Sequence, residues 1–461
     1  MSESKHFHFT GVCGTAMGAV AVAMKRKGFT VTGSDNNVYP PMSDFLRAEG
    51  IAIGEGYRAE NLPADADVIV IGNAISRGNE EAEAALSRRL LYQSLPEVMK
   101  EHFLRGKRNY VVSGTHGKTT TSSMLAWIFL AAGREPGWMI GGLPKNLGSG
   151  ARFTDSEFNV LEGDEYDTAF FDKRSKFLHY LPEVAVVNNI EFDHADIYAN
   201  LDEIKLTFRR LLNVVPRSGM AIVNGDDSNC LEVAATAPCP IQSVGFSAAC
   251  TLRIGGLKYE VDRSSFTLGG EPYSLRMNGE FNVRNAAMAV AAALFAGLSP
   301  GEIRAGLESF NGVARRQELR GEAGGVKVID DFAHHPTAIK FAVGSLRQSY
   351  PNSRLWILFE PRSNTTRRAV FQNELAEALA LADEAVISEI TDLHKFPEND
   401  RLDPDLLAAD IARHGGHGRY IHTVDEIVDT VVAEVKPGDV VAVLSNGGFG
   451  GIHKKLLERL A

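Results

Sequence analysis

Cysteine is scarce in this chain: only four of its 461 residues are cysteines. They stand at positions 13, 230, 239 and 250 and do not form a CxxC pair. Such spacing suits a reducing compartment better than a disulfide framework. We therefore interpret all four as ordinary small residues.

Long hydrophobic runs are also missing. The longest apolar stretches, such as AMAVAAALFAGL at 287–298, are shorter than the roughly 20 residues that a spanning helix needs. The N-terminal residues MSESKHFHFTGV lack the apolar core of a signal peptide. The sequence therefore predicts a cytoplasmic protein that does not act in a membrane.

Positive charge is in deficit, since the formal net charge is −10. A general nucleic-acid binder needs a basic face that displaces counterions, so this class is excluded. Small anionic ligands stay compatible, because local loops bind them. The composition, 44% hydrophobic and 23% charged, is that of a globular protein, and the length predicts about three domains.

Short apolar strands alternate with helical stretches along the chain. The first block opens with a βαβ unit, in which HFHFTGV and FTVTGSD are the strands and Asp35 ends the second strand. A polar stretch at 101–109 and a charged, turn-like stretch at 312–321 separate the blocks. We predict an α/β protein of three domains, at 1–107, 108–316 and 317–461, with largely parallel sheets.

The stretch SGTHGKTTT at 113–121 lies between the apolar strand YVVS and the helical SSMLAWIFLAAG. Its glycines let backbone N–H groups converge on phosphate oxygens at the start of a helix. Lys118 would then reach the terminal phosphates, and the Thr119 hydroxyl would take Mg²⁺. The strict phosphate-loop pattern has a further glycine where Val112 stands, but the strand and helix around the turn favour phosphate binding over an empty turn.

Polar residues follow two further strands of the central block. LEGDEYD at 161–167 follows FNVL, and NNIEFDH at 188–194 follows VAVV. Ligands bind at the carboxyl ends of parallel strands, where Glu162 could hold a metal. The first stretch alone is equally compatible with a solvated acidic loop, and a lone histidine like that of the second is more often a structural residue, but two such stretches in one domain favour a site.

The third block also has polar turns at strand ends, DDFAHHP at 330–336 and EPRSNT at 360–365, which mark one rim of a parallel sheet. SNGGFGG at 445–451 is compatible with a tight turn or with ligand contact. The first turn, GVCGTAMG at 11–18, lacks the GxGxxG pattern, which disfavours a nicotinamide-dependent oxidoreductase.

These motifs, in this order, closely resemble the Mur ligase family over essentially the whole chain. Members use ATP to join a carboxylate to an amine. The resemblance implies a Rossmann-like UDP-binding first domain, a central domain like the phosphate-loop ATPases, and a Rossmann-like third domain that closes on ATP and binds a peptide.

Within the family, several segments resemble the branch that attaches the recycled peptide L-alanyl-γ-D-glutamyl-meso-diaminopimelate to UDP-N-acetylmuramate in peptidoglycan recycling. They are the first turn, 37–43, 166–177, 188–198, 359–365 and 445–453. The alternative is the UDP-N-acetylmuramate:L-alanine ligase of peptidoglycan synthesis. That branch typically has more glycine in the first turn, where Cys13 and Ala16 stand here, and a shorter stretch between Glu162 and His194.

The resemblance implies roles for particular residues. Thr119, Glu162 and His194 match the magnesium ligands, and Lys118, Glu162, His194 and Arg362 are the candidate catalytic residues. The residues implied to contact ATP are Gly114, Thr115, His116, Gly117, Lys118, Thr119, Thr120, Asn282, Asn285, Arg316, Asp331 and His334. Those implied to hold the UDP-sugar are Gly11, Gly14, Ser34, Asp35 and Asn73. Arg362 is the candidate for a carboxylate of the incoming peptide.

The implied reaction starts with transfer of the γ-phosphoryl of ATP to the lactyl carboxylate, and the L-alanyl amine then displaces phosphate from the acyl phosphate. A nucleotide-binding regulator without catalysis is the alternative of another class. The joint presence of Glu162, His194, Asp331 and His334 favours the enzyme. We expect the third domain to close about a hinge in 312–321.

Some sister ligases carry a carbamylated lysine in the helix after the Asp-His motif. The corresponding position here falls near Phe208, and Lys205 is out of register. The sequence therefore does not predict a modified lysine.

Overall fold

The structure, a computed structural model, describes residues 4–194, 197–260 and 262–461. Within these ranges, no helix has the length and apolar character needed to cross a membrane. The three sheets and their helices confirm the predicted α/β class.

The first sheet contains five parallel strands in the order β3-β2-β1-β4-β5. Its strands are β1 His6–Thr10, β2 Thr30–Asp35, β3 Ala52–Glu55, β4 Val68–Ile71 and β5 Tyr92–Ser94. Its helices are α1 Thr15–Arg26, α2 Met42–Ala48, α3 Glu80–Ser87 and α4 Leu95–Met99. The predicted βαβ unit is thus β1-α1-β2, and Asp35 does end β2.

The central sheet has ten strands, in the order β17-β16-β15-β14-β13-β12-β6-β9-β7-β8. The strands of this part of the chain are β6 Arg108–Ser113, β7 Gly137–Met139, β8 Ala151–Arg152, β9 Phe158–Gly163, β10 Asp167–Ala169, β11 Asp172–Ser175, β12 Pro182–Val187, β13 Met220–Asn224, β14 Ile241–Gly245, β15 Leu252–Tyr259, β16 Ser264–Leu268 and β17 Glu271–Leu275. β10 and β11 form a separate hairpin. The helices are α5 Lys118–Ala131, α6 Leu201–Asn213, α7 Ser228–Ala234, α8 Glu280–Phe295 and α9 Pro300–Glu308.

The centre of this sheet positions the phosphate loop. β6 lies between β9 and β12, and all three run parallel, so their carboxyl ends meet at one edge. The strands are buried apolar runs, and α5 and α8, which are buried along most of their length, pack against each other on one face. The residues that follow β6, β9 and β12 are therefore brought together, as the sequence predicts.

The third sheet has the order β18-β19-β23-β20-β21-β22. Its strands are β18 Glu318–Ala323, β19 Val326–Asp331, β20 Leu355–Phe359, β21 Glu384–Ser388, β22 Gly418–Ile421 and β23 Val440–Leu444. Its helices are α10 Pro336–Ser349, α11 Gln372–Leu379, α12 Pro404–Arg413, α13 Val424–Glu434 and α14 Ile452–Leu460. Only the edge strand β18 is antiparallel to its neighbour.

The sequence does not predict β18, and interpreting 312–321 as turn-like throughout is wrong from Glu318 onward. β18 is an edge strand with no fully buried side chain, and its one aliphatic residue of any size, Leu319, is 50% exposed. It therefore lacks the apolar alternation by which a strand is recognised.

The connection into the third domain is tightly turned. The Ala314 N–H donates to the Leu143 carbonyl of the central domain. The guanidinium of the next residue, Arg315, donates instead to the carbonyls of Ser445 and Gly447 in the third domain. Arg315 and Gln317 have φ of 60° and 49°, a region that residues with a side chain rarely adopt. Such a connection suits the predicted hinge, which stays a hypothesis, as does the division after residues 107 and 316.

The third domain lies against the central domain. Thr337 Oγ1 donates to Glu191 Oε2 at 2.6 Å, and Thr365 Oγ1 donates to Asp193 Oδ1 at 3.1 Å. The rings of Phe281 and Phe341 stack with centroids 4.6 Å apart. The structure is thus a closed arrangement of these two domains.

Candidate active site

The turn at 114–117 joins the end of β6 to the start of α5. Gly117 has φ of 83°, and a Cβ there would lie 2.4 Å from Asn285 Oδ1, so only glycine fits. None of the described side chains caps α5 at this end. The first N–H groups of the helix therefore have no intrahelical partner, an arrangement that favours an anion.

Two amides of the turn are already bonded within the protein. The N–H of Thr115 donates to the Asn189 carbonyl at 3.0 Å, and the N–H of His116 donates to Asn189 Oδ1 at 2.7 Å. They hold the loop against the residues that follow β12. The predicted nucleotide contacts of Thr115 and His116 stay predictions, as does that of Gly114, whose carbonyl accepts from Lys118 Nζ.

A buried ion-pair network surrounds Lys118. Its Nζ donates to Glu165 Oε2 at 2.8 Å, and Glu165 Oε1 lies 3.1 Å from His194 Nε2. Burial opposes the charge on Lys118, but the Glu165 carboxylate outweighs it and raises the lysine pKa. Burial likewise opposes ionisation of Glu165, yet Lys118 and His194 hold its pKa at about 2. Burial also opposes protonation of His194, but the Glu165 hydrogen bond raises its pKa to about 8.

Two of the three predicted magnesium ligands are in contact. Thr119 Oγ1 donates to Glu162 Oε1 at 2.8 Å, and the Gly141 N–H donates to Glu162 Oε2 at 2.6 Å. Burial, with the nearby Asp164, raises the pKa of Glu162. The third predicted ligand, His194, contacts Glu165 instead. Hydroxyl and carboxylate oxygens are the ligands that Mg²⁺ prefers, so Thr119 and Glu162 fit this ion.

The predicted nucleotide residues meet at a cleft between the central and third domains. Gly117, Thr120, Asn282, Arg316 and Asp331 line it. Asn285 lies beside Gly117, and its buried Nδ2 has no partner among the described residues. His334 is not part of the lining; its Nδ1 lies 3.0 Å from the Phe332 carbonyl, and burial lowers its pKa.

This cleft is narrow. Its volume is about 60 Å³. Pockets that hold a ligand of drug size are about 300–1,000 Å³. The stacked rings of Phe281 and Phe341 belong one to each domain and both line the cleft. A nucleotide therefore needs these domains to separate, or the rings to move, before it can enter.

Two connected cavities lead from the first domain to Glu162. The first, of about 580 Å³, is lined by Gly11, Gly14, Asp35 and Asn73 of the predicted UDP-sugar set. The second, of about 520 Å³, shares Asn73 with it and extends to Glu162. Ser34, the remaining predicted residue, does not line either cavity, because its hydroxyl donates to the buried Glu81.

Lys176 is the one cation among the described residues that line the second cavity. Its Nζ lies 4.0 Å from the centroid of the Tyr166 ring and 3.9 Å from Asp164 Oδ2. Burial lowers the pKa of this amine, although Asp164 acts in the opposite direction. The Glu162 end of the second cavity thus has one amine beside the carboxylates of Glu162 and Asp164.

Arg362 follows β20 at the rim of the third domain. Its side chain is half exposed, and its guanidinium lies against Gly447, where a Cβ would come within 2.6 Å of Nε. Glu360, its ion-pair partner, is 3.9 Å away. The guanidinium can therefore meet a ligand, but its predicted peptide contact stays a prediction.

Sequence reasoning missed several residues of this site. Glu165 stands in the acidic run 161–167, from which the sequence predicts a role for Glu162 alone. Lys176 stands in the segment 166–177, which resembles one branch of the family but does not itself indicate a role for the lysine. The position considered for a modified lysine is occupied by Phe208, which is fully buried in α6, while Lys205 pairs with Glu232 at 2.7 Å.

Three family descriptions match most of the chain. They are the Mur ligase family catalytic domain at 6–107, the Mur ligase middle domain at 112–293 and the Mur ligase glutamate ligase domain at 315–447. Together they include every residue of the site described above.

Full-length relatives carry two different names. The UDP-N-acetylmuramate–L-alanyl-γ-D-glutamyl-meso-2,6-diaminoheptandioate ligase of Escherichia coli K12 is 41% identical, and the alignment covers 98% of each chain. The UDP-N-acetylmuramate–L-alanine ligase of Desulforapulum autotrophicum is 32% identical, over 100% of this chain and 99% of that one. The crystal structure of a murein peptide ligase from Psychrobacter arcticus is 35% identical, with a TM-score of 0.71 over 99% of each chain.

Proposed function

Because the chain belongs to the Mur ligase family, we propose that it is the ATP-dependent ligase that joins UDP-N-acetylmuramate to the recycled peptide L-alanyl-γ-D-glutamyl-meso-diaminopimelate. The new amide links the lactyl carboxylate of the sugar to the L-alanyl amine. The product returns a peptide from peptidoglycan breakdown to a nucleotide-activated precursor.

The observation that carries this proposal is the path of the two connected cavities. It starts at Gly11, in the turn between β1 and α1, and at Asp35, which can accept from a ribose hydroxyl, and it ends at Glu162, which touches Thr119 of the phosphate loop. A UDP-sugar lying along this path would bring its carboxylate to the loop that holds ATP. Phosphoryl transfer depends on such placement together with electrostatic stabilisation.

A carboxylate is too poor an electrophile for an amine to attack, so the reaction needs ATP. The carboxylate oxygen takes the γ-phosphoryl group and ADP leaves; the amine then attacks the acyl carbon and phosphate leaves with the former carboxylate oxygen. Lys118 lies at the start of α5, where its charge offsets that of the transferring group. The hydroxyl of Thr119 and the carboxylate of Glu162 would hold Mg²⁺, which supplies further charge neutralisation.

A third cavity supports a peptide as the amine substrate. It has a volume of about 540 Å³ and lies between the β10-β11 hairpin and α6. Arg210, Lys173 and Arg174 line it, and Arg210 has no ion-pair partner among the residues that the structure describes. Its inner wall includes Tyr198, whose hydroxyl donates to the Glu165 carbonyl. The distal carboxylates of the peptide would be matched by these cations.

The alternatives have less support. Relatives named for the L-alanine reaction are 30–33% identical, against 39–41% for those named for the peptide reaction. A regulator that only binds nucleotide would not need the two cavities that lead to Glu162. An oxidoreductase is disfavoured because the chain belongs to a ligase family and because its first turn lacks the GxGxxG pattern.

The proposal is tested by incubating the purified chain with UDP-N-acetylmuramate, the tripeptide, ATP and Mg²⁺. We expect one phosphate released for each UDP-N-acetylmuramyl-tripeptide formed, measured by a phosphate assay and by mass spectrometry. Omission of any one component should stop both. Phosphate release without the sugar or the peptide would contradict coupled ligation.

Replacing Lys176 by methionine is expected to raise the KM for UDP-N-acetylmuramate at least tenfold, about 1.4 kcal/mol, with little change in the KM for ATP. The methionine keeps the length and the contact with Tyr166 but removes the charge that faces the lactyl carboxylate. Lys176→Arg is the matched control and should recover most of the affinity. An unchanged KM in the methionine variant would show that Lys176 does not contact the sugar substrate.

A further inference from the structure

Three potential metal ligands converge where the central and third domains meet. They are His116 of the phosphate loop, Glu191 after β12 and His335 at the start of α10. One ligand atom from each lies within 4.8 Å of the other two. Glu191 Oε2 lies between the rings, 3.4 Å from His116 Nε2 and 3.8 Å from His335 Nδ1.

His116 presents an unused nitrogen to this cluster. Its Nε2 is buried without a hydrogen-bond partner among the described residues, and its side chain is only 9% exposed. A buried nitrogen of this kind costs free energy unless something binds it. The nitrogen lies 3.4 Å from Glu191 Oε2, so an ion that binds both atoms would lie beside the line that joins them.

The neighbouring contacts orient the other two ligands. His335 Nε2 lies 3.3 Å from the Phe192 carbonyl, which favours a proton on Nε2 and a lone pair on Nδ1. Thr337 Oγ1 donates to Glu191 Oε2 and fixes that carboxylate. Nδ1 of His335 also accepts the Thr337 N–H at 3.3 Å, a contact that an ion would replace.

We propose that His116, Glu191 and His335 bind a single Zn²⁺ ion, or a divalent transition ion of similar preference. Two imidazoles and one carboxylate are a ligand set that zinc uses with an open fourth position. Zinc–ligand bonds of 2.0–2.1 Å place tetrahedral ligands about 3.3 Å apart. The Glu191 separations are 3.4 and 3.8 Å and the three atoms lie within 4.8 Å of one another, so the ligands would draw together around the ion. This site shares no residue with Thr119, Glu162 or His194.

An ion here would join the two domains. His116 and Glu191 belong to the central domain, whereas His335 belongs to the third. The ion would therefore favour the closed arrangement, whose nucleotide cleft of about 60 Å³ is too small for a nucleotide. Bound zinc would thus hold the central and third domains together.

The test is equilibrium dialysis of the purified chain against ZnCl₂, without nucleotide or chelator, followed by metal analysis. We expect one zinc ion per wild-type chain. His335→Asn removes the imidazole but keeps a residue that caps α10 well, and Glu191→Gln keeps an acceptor for Thr337. Loss of an outer contact to a metal ligand typically costs 10–100-fold in affinity, so loss of a ligand should cost at least about tenfold.

The matched control is His422→Gln, which removes an exposed histidine of the third domain far along the chain from the cluster. It should bind zinc like the wild type. Thermal melts without zinc establish that each variant folds, and zinc should raise the Tm of the wild type and the control only. The proposal is overturned if the wild type retains no zinc, or if His335→Asn and Glu191→Gln retain as much as the wild type. Because no substrate is present, neither outcome depends on the ligase reaction.

Discussion

Lys118→Met should lower kcat for ligation at least about 10³-fold, a loss of about 4 kcal/mol in transition-state stabilisation. The lysine begins α5 beside the phosphate loop, and its Nζ is 2.8 Å from both the Gly114 carbonyl and Glu165 Oε2. It is therefore held where the triphosphate would lie, and its charge acts in a buried site where it is screened little. Steady-state phosphate release at saturating substrates measures the effect.

The same substitution has a structural consequence that must be separated from catalysis. Glu165 is 3% exposed, and without Lys118 its remaining cationic contact is His194. Loss of one partner from a buried ion pair typically destabilises a protein by about 3–5 kcal/mol. We therefore pair Lys118→Met with Lys118→Met/Glu165→Gln, which removes both charges.

The double variant should regain much of the stability, measured by denaturant unfolding, and none of the turnover. Recovery of turnover together with stability would contradict a direct role for Lys118 in phosphoryl transfer. Glu165→Gln alone keeps the lysine and shows how far the carboxylate itself contributes.

Strands with a continuous apolar run could be predicted from the sequence. β6, β9 and β12 are such runs, although their order in the sheet is known only from the structure. β18 could not be predicted, because an edge strand exposes most of its side chains and has a composition like that of a turn. The sequence features that locate the candidate site are therefore the buried apolar strands that precede it.

Part of the candidate site can be predicted where a motif indicates a role. Lys118, Thr119 and Glu162 come from such motifs, and the structure places Thr119 and Glu162 in contact. Glu165 could not be told from the other acids of LEGDEYD, because its role depends on which side chain turns toward Lys118 after β9 ends. The positions of these acids in the sequence do not show which of their side chains points toward Lys118.

Contacts between domains could not be predicted from the sequence, for a different reason. His116 and His335 are more than two hundred residues apart, and their rings lie 4.6 Å apart only because the third domain packs on the central one. No local pattern encodes how two domains dock. The narrow nucleotide cleft depends on the same packing.

The second large effect concerns the choice of amine. We expect kcat/KM for the tripeptide to exceed that for free L-alanine by at least about 100-fold, about 2.7 kcal/mol. Both substrates offer an alanyl amine, but in our proposal only the peptide would reach Arg210, Lys173 and Arg174 of the third cavity. Binding energy from such remote groups raises transition-state stabilisation when it positions the reacting amine.

The most direct measurement is a competition. L-alanine and the tripeptide are supplied at equal concentration with UDP-N-acetylmuramate, ATP and Mg²⁺, and the products are counted by mass spectrometry. Our account predicts that nearly all product is UDP-N-acetylmuramyl-tripeptide. A product dominated by UDP-N-acetylmuramyl-L-alanine would contradict it and assign the chain to the L-alanine reaction.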